Sequence, residues 1–340
     1  MDKNFHDLII INKDNDSPIY QQIVDSIMEG IMQGRLKEND QLPSVNFILR
    51  EYGIARQTLI KALRLLQEKG IVKAVHGKGY FITNASTAVG YRVFVLFDTF
   101  ASYKEVLYSA IKDRFGESAE LDIYFHHYND DLFQKLVSTA LGNYTHYLIL
   151  PYTFSGINDA LKVLPKKKVY LFDIEPDNLT LQYQGVFQDF YKDVLSALVT
   201  VKKDIQKYDS ILLVNRYNIS MVPKGILNAF NDFIATNQIN GSIIDSLKGR
   251  QVAKGQGYIV FDDEDLVYLI EECNKLNLSI GHDVGIISYN DTPLKKVVAD
   301  GISVISTDFI KLGEDIVDMI IKREKVRKYN PSKIIRRGSF

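Results

Sequence analysis

Tryptophan is absent from this chain, and cysteine occurs once, at Cys273. A single thiol excludes an intrachain disulfide, and with it a disulfide-stapled secreted scaffold. Long apolar runs are missing as well. The start, Met1 to Asp14, holds only the four-residue run from Leu8 to Ile11. That is too short for a signal peptide or a membrane span, so a reducing cytoplasm and no membrane partner are expected. There is no solenoid-type repeat and no low-complexity tract.

Chemical constellations are scarce too. No G-x-x-x-x-G-K-[ST] phosphate loop is present, and no nucleophile–base–orienter set emerges. His126 and His127 are adjacent, and neighbours on a strand point to opposite faces, which makes a poor chelate. The acidic run Asp262 to Asp265 lacks the glycine and distal glutamate of a calcium loop. It fits a helix start, where acids are favoured. No catalytic residue, cofactor or metal is expected, and the chain does not read as an enzyme.

Apolar material, by contrast, is plentiful. The 340 residues are 46% hydrophobic, with 18 Phe and 20 Tyr, enough for two or three domains with sizeable cores. The net charge of −1 hides an asymmetry. From Arg50 to Tyr80 seven Lys/Arg stand against two Asp/Glu, so this segment carries +5 and the remainder −6. A short basic segment on an acidic chain points to a local polyanion contact.

The periodicities around that segment are sharp. Ser17-Pro18 reads as a helix cap and first turn, and Ile19, Ile23, Ile27 and Ile31 recur every fourth residue up to Gly34. A second helix fits Pro43 to Tyr52, closed by Gly53. A third fits Arg56 to Lys69 with Leu59, Leu63 and Leu66 as its apolar stripe and Gly70 after it. Ile71–Val75 and Tyr80–Thr83 flank His76-Gly77-Lys78-Gly79 as a hairpin. Three helices and a hairpin, with a glycine turn between the last two helices, make a winged helix-turn-helix pattern. Arg56, Gln57 and Thr58 open the third helix, and Lys61 and Arg64 follow, all away from the leucine stripe. Arg suits guanine and Gln suits adenine in the major groove. The alternative is a plain solvated face. His76 and Lys78 fit a phosphate ridge or the minor groove, or a turn that merely happens to be basic.

Residues 1–83 are thus expected as a DNA-binding domain and 84–90, a small polar stretch, as a linker. From 91 to 340 apolar strands alternate with helices, the pattern of parallel sheets covered on both faces. The strands are too numerous for one sheet, so the expected fold is α/β, with two lobes behind the winged head. Ligands of open α/β sheets sit beyond the carboxyl ends of strands. There stand Asp98, Thr99 and Phe100, His126 and His127, Pro151 and Tyr152, Asp173, Arg216, Asp262 and Asp263, and Asn290 and Asp291. Carboxylates, amides and rings suit a polyhydroxylated molecule. Asp173 and Asn290 also fit loop caps, and Phe100 and Tyr152 fit ordinary core positions.

The stretch from PIYQQI through GRLKENDQLPS, the Arg56 helix, LQEKGIV and HGKGYF resembles the GntR-family DNA-binding domain over its length. The resemblance implies DNA contacts at Ser44, Arg56, Thr58, His76 and Gly77. Asn46 and Ile60 depart from commonly basic family positions. Tyr91 to Phe340 resembles the effector domain of LacI/GalR-type regulators, most clearly in DDEDLVYLIEECNKLNLSIGHDVGIISYNDT and the terminal RRGSF. That likeness implies effector contacts at Asp263, Asn290 and Asp189. Val222 departs where sugar-responsive relatives often carry arginine, with Lys224 and Arg216 nearby. GntR head on LacI-like body resembles the arabinose-repressor type. It implies a homodimer on double-stranded operator DNA, switched by a monosaccharide or derivative. A repressor of carbohydrate-utilisation genes is expected; an activator of the same build and a sugar-binding protein without regulatory role are the alternatives.

Overall fold

The computed structural model describes residues 8–11, 18–32, 35–83, 90–152, 154–216 and 222–340. The expected cap at Ser17, the stop at Gly34 and all of the expected linker except Gly90 lie outside these residues. The chain divides into two compact units. Unit one comprises Met1–Thr99, Phe115–Phe172 and Pro176–Gln184; unit two comprises Phe100–Arg114, Asp173–Glu175 and Gly185–Phe340.

Unit one begins with α1 (Ile19–Met32), α2 (Val45–Tyr52), α3 (Arg56–Glu68), β1 (Val72–Val75) and β2 (Gly79–Ile82). The fourfold spacing of isoleucines puts Ile23, Ile27 and Ile31 on one buried face of α1. Leu59, Leu63 and Leu66 of α3 are buried against them in one core. Fully burying a side chain of this size stabilises by about 1.5–3 kcal/mol. Ser44 caps α2 by accepting from the Phe47 amide at 3.2 Å, and Gly53 ends it in the left-handed region at φ 58°, which a residue without Cβ adopts cheaply. β1 and β2 pair antiparallel, with Val72 opposite Ile82 and Val75 opposite Gly79. The ENDQL segment adds something the sequence pattern did not show. Its backbone runs along the outer side of β2, with Asn39 and Ile82 amides donating to Ile82 and Asp40 carbonyls and the Leu42 amide donating to that of Tyr80.

The chain continues through β3 (Tyr91–Phe97), α4 (Ser102–Phe115), β4 (Ala119–Phe125), α5 (Asp130–Ala140), β5 (His146–Ile149), α6 (Ile157–Lys162), β6 (Val169–Asp173) and β7 (Gln184–Phe187). Then follow α7 (Phe190–Thr200), α8 (Lys202–Ile205), β8 (Ser210–Val214), α9 (Lys224–Asn237), β9 (Gly241–Ile244) and β10 (Gln256–Val260). The last elements are α10 (Asp263–Lys275), β11 (Val284–Tyr289), β12 (Ser303–Ser306), α11 (Phe309–Lys322), β13 (Arg327–Tyr329) and β14 (Lys333–Ile335).

In unit one β4, β3, β5 and β6 lie side by side and parallel. Val93 to Phe97 are all buried, as a strand covered on both faces requires. In unit two β9, β8, β10, β11 and β12 run parallel. β14 lines the outer edge of β12 antiparallel, so this sheet departs from the wholly parallel pattern at one edge strand, a common variation. β7 pairs with β13 in parallel. These short strands carry little apolar signal: β13 reads Arg-Lys-Tyr and β14 Lys-Ile-Ile. Arg337 anchors the chain beyond β14 with both nitrogens on the two carboxylate oxygens of Asp291, at 2.9 and 2.8 Å. No helix among the described residues is long and apolar enough to cross a membrane.

Candidate nucleic-acid interface and effector site

The leucine stripe fixes which face of α3 is free. With Leu59, Leu63 and Leu66 turned inward, Arg56 and Gln57 stand exposed in the first turn, and Thr58 is half-buried. Ala55, at the cap position, offers no side-chain acceptor, so the first amides of α3 remain available to an anion. Lys61 lies with its ammonium 3.8 Å from the centre of the Tyr20 ring on α1. Arg64 pairs with Glu68 at 3.1 Å, both largely exposed. Such a pair is worth only about 0.3–0.5 kcal/mol, so a phosphate competes with it readily.

The hairpin tip is exposed at His76, Gly77 and Lys78. Gly77 and Gly79 hold φ of 73° and 105°, values that a side chain would strain. Gln41, in the segment beside β2, donates from its side-chain amide to the Lys78 carbonyl and so braces the tip. Ser44 is spent as the α2 cap but remains exposed, as does Asn46. Ile60 is 38% exposed on the same helix as Arg56. Lys78→Ala is expected to weaken DNA binding evenly across sequences and to lower the log–log salt slope by about 0.9, one phosphate's worth. Gel shifts at several salt concentrations measure both.

In unit one the ends of β3, β4 and β5 gather Asp98, His126, Tyr128 and Tyr152. Asp98 is buried, accepting from the Thr99 amide at 2.7 Å and from the Tyr128 hydroxyl at 2.9 Å. Burial first, then the Asp98 charge, pushes the Tyr128 hydroxyl well above its ordinary range, so it stays a neutral donor. Tyr152 meets the Tyr128 ring edge-on at 5.1 Å and Phe154 at 5.3 Å. His126 is fully buried. Its Nδ1 accepts from the Tyr128 amide at 3.2 Å, and its Nε2 faces the Leu150 carbonyl at 3.2 Å. That arrangement assigns the proton to Nε2 and occupies both nitrogens. His126 therefore serves the backbone, and its place as an effector candidate passes to Tyr128. His127 is exposed.

In unit two Asp173, at φ 69° and buried, accepts from the Gln188 side chain. Gln188 accepts in turn from the Ser332 hydroxyl at 2.7 Å, and the Ser332 amide donates to Asp193 at 2.9 Å. Asp189 caps α7 through the Lys192 amide at 3.0 Å. Arg216 pairs with Glu264 at 3.0 Å and lies 3.9 Å from Asp265. Asp263 meets the Ser102 hydroxyl at 3.4 Å and the Lys295 ammonium at 3.3 Å. Asn290 is left-handed at φ 62°. Phe100 is 83% exposed. Among the described residues no group of three or more His, Cys, Asp or Glu stands ready to hold a metal ion.

Burial holds the Asp193 carboxyl above its ordinary pKa. A group raised in the folded state favours folding below its unfolded pKa, about 4, and loses that contribution as pH rises through the folded value. Asp193→Asn, which keeps an acceptor for Ser332, is therefore expected to gain stability relative to the native chain as pH rises from about 4 towards neutrality. Urea melts at a series of pH values check this.

Comparison with known proteins bears on both parts. Residues 19–82 match the model of bacterial regulatory proteins of the gntR family, and residues 228–340 match the periplasmic binding protein-like domain. The first match spans α1 to β2 of this chain. The chain is 38% identical over 79 residues to the mannosyl-D-glycerate transport/metabolism system repressor MngR of Escherichia coli K12, covering 23% of this chain and 32% of that protein. It is 32% identical over 83 residues to the repressor YtrA of Bacillus subtilis 168, covering 24% and 64%. The chain thus spans less than two thirds of either relative. Behind the GntR head the fold is similar to the dimeric Lac repressor with a C-terminal deletion, with a TM-score of 0.61 at 14% identity over 73% of this chain and 98% of that one. It is also similar to a LacI-family regulator from an Arthrobacter species in complex with lactose, with a TM-score of 0.60 at 12% identity over 74% and 99%.

Around the GntR head the sequence pattern passed over Gln41, whose role depends on a backbone pairing that has no apolar signature. In the periplasmic-binding-protein-like body it passed over Tyr128, Gln188, Ser102 and Lys295. Tyr128 follows two residues after His126 at φ 55°, and only that turn brings its hydroxyl back to Asp98. Lys295 sits in Pro-Leu-Lys-Lys, which reads as solvated surface, yet its side chain is 5% exposed.

Proposed function

We propose that this chain is an effector-controlled transcriptional repressor of carbohydrate-utilisation genes, acting in the cytoplasm as a homodimer on double-stranded operator DNA. The observation that carries this reading is the exposed Arg56-Gln57 face of α3 beside the exposed His76–Lys78 tip, on a GntR head continuous with a periplasmic-binding-protein-like body. Residues 1–83 serve as the DNA-binding domain, 84–90 as linker, and 91–340 as the effector-binding and dimerising body. Arg56 and Gln57 read base edges, with Thr58, Lys61, Arg64 and Ser44 in support. His76, Gly77 and Lys78 follow the backbone.

Within unit one the candidate effector contacts are Asp98, Tyr128 and Tyr152; within unit two, taken by itself, they are Phe100, Asp173, Asp189, Arg216, Asp263 and Asn290. These are acceptors, donors and ring faces suited to a small sugar or derivative, and the chain turns nothing over. The named relatives MngR and YtrA are repressors, which supports the sign. Deleting the gene should raise expression of a reporter fused to its target promoter, and re-supplying Arg56→Ala should fail to restore repression. Lower expression on deletion would reverse the sign to activation. Full repression by Arg56→Ala would remove α3 from the reading of DNA.

A further inference from the structure

A helix with a single isoleucine face ordinarily leaves its other side in water. α1 does not. None of its residues from Ile19 to Ile31 is exposed, whereas α3 keeps Arg56, Gln57, Ile60 and Arg64 exposed. Part of the cover comes from residues 8–11. The Ile10 amide donates to the Ser26 hydroxyl at 3.0 Å, and Leu8 and Ile9 join the core of the head. At Asp25, α1 meets the body instead.

Lys168, 143 residues further along the chain, donates from its ammonium to the Asp25 carboxylate. Both residues belong to unit one. Their side chains are 25% and 26% exposed, so the pair is screened less than one in open water. Gln21 donates to the other Asp25 oxygen at 3.1 Å and helps to aim it. Lys168 closes the single 3-10 turn Lys166–Lys168, and its amide donates to the Pro165 carbonyl at 2.8 Å. β6 starts at the next residue, so the cation is anchored at the edge of a sheet. Burial above all, with the Asp25 charge adding to it, pushes the Tyr147 hydroxyl up to about 12 against the pull of the Gly142 amide. Asp25 therefore lies within electrostatic reach of β5 as well.

A head held in this way keeps its reading face open, because Arg56, Gln57, His76 and Lys78 are all exposed within the same unit. A head already fixed to its body also loses less freedom when it meets DNA. We propose that α1 docks the head on the sheet of unit one through Asp25 and Lys168, and that this docked form is the one that binds the operator. The second half rests on the DNA-binding reading above; the first half does not.

Two measurements on the full chain read the two halves separately. Cys273 is buried, so Glu38→Cys, at an exposed position of the head, supplies one accessible thiol for a fluorophore. Its time-resolved anisotropy should show the head tumbling with the whole chain. Asp25→Lys and Lys168→Glu should each add a severalfold faster component, and the charge-swapped double variant should lose it again. If Asp25→Lys fails to fold, Asp25→Asn, of the same volume, should release the head likewise. In gel shifts on one operator at one salt concentration, each single reversal should bind about fivefold more weakly or worse, and the swap should recover. The two reversals change the net charge in opposite senses. A pure charge effect would therefore strengthen binding in Asp25→Lys and weaken it in Lys168→Glu, and that pattern overturns the docked form as the operator-binding one, as does unchanged affinity in both. A fast-tumbling head in the otherwise native chain, or reversals that leave its tumbling unchanged, overturn the dock itself. Absence of operator binding from all four proteins overturns the DNA-binding reading, while the anisotropy still decides the dock.

Discussion

Severed from the body near residue 83, the head is expected to bind its operator about 10²–10⁴-fold more weakly than the full chain. The fragment keeps its fold, because Ile23, Ile27, Leu59, Leu63 and Leu66 form a core among themselves and β1 and β2 close over it. On the proposed homodimer reading, what it loses is the second head. In a homodimer the first head to bind holds the other near its half-site, so the second event becomes intramolecular. Gel-shift titrations of both proteins on one operator at one salt concentration give the ratio; salt is fixed because phosphate contacts alone move affinity steeply. Equal affinities would mean that the body does not join the heads.

Lys295→Met is expected to destabilise the chain by about 2–4 kcal/mol. Burial pulls the Lys295 ammonium below its ordinary pKa, against the pull of Asp263, so the charge itself is costly where it sits. Its removal nevertheless leaves the Tyr289 and Asn290 carbonyls without their donor, at about 1–3 kcal/mol for each buried group. Relief of the buried charge offsets part of that. Asp263, 59% exposed, falls back on water and contributes little. A lysine depressed in the folded state binds fewer protons folded than unfolded, so the stability of the native chain should rise with pH between the folded and the unfolded lysine values. The methionine variant should lack that rise. Urea melts at neutral and alkaline pH measure both effects. A loss below about 1 kcal/mol would mean that the carbonyls find other donors.

How far the sequence went depended on whether a residue's role follows from its own neighbours in the chain. Isoleucines four apart and leucines in the Arg56 helix declare a buried face, and Gly53 and Gly77 declare left-handed turns, so the winged head was legible down to individual side chains. The long strands of the body, such as Val93 to Phe97, were legible by the same logic. β13 and β14 were not, because Arg-Lys-Tyr and Lys-Ile-Ile have no period to read and are strands only by virtue of the partners they meet. Asp263 and Asn290 were proposed as site residues from their place at strand ends. His126 was found by the same rule, yet its ring is spent on the backbone of Tyr128 and Leu150. Lys295 was hidden because a lysine beside another lysine looks solvated, and only the fold shows three oxygens around it. Asp262 was read both at a strand end and within a helix start, and the missing cap bond separates it from its acidic neighbours.

The central claim is that effector and operator act on one equilibrium, and measuring their coupling in both directions tests it most directly. Operator affinity would be titrated with and without a saturating sugar that binds the body, and sugar affinity with and without saturating operator. Linkage requires the two ratios to be equal, and regulatory couplings typically run from about fivefold to 150-fold. The account predicts that the sugar weakens operator binding by a factor in that range and that the operator weakens sugar binding by the same factor. A sugar that binds the body tightly and leaves operator affinity unchanged would contradict it.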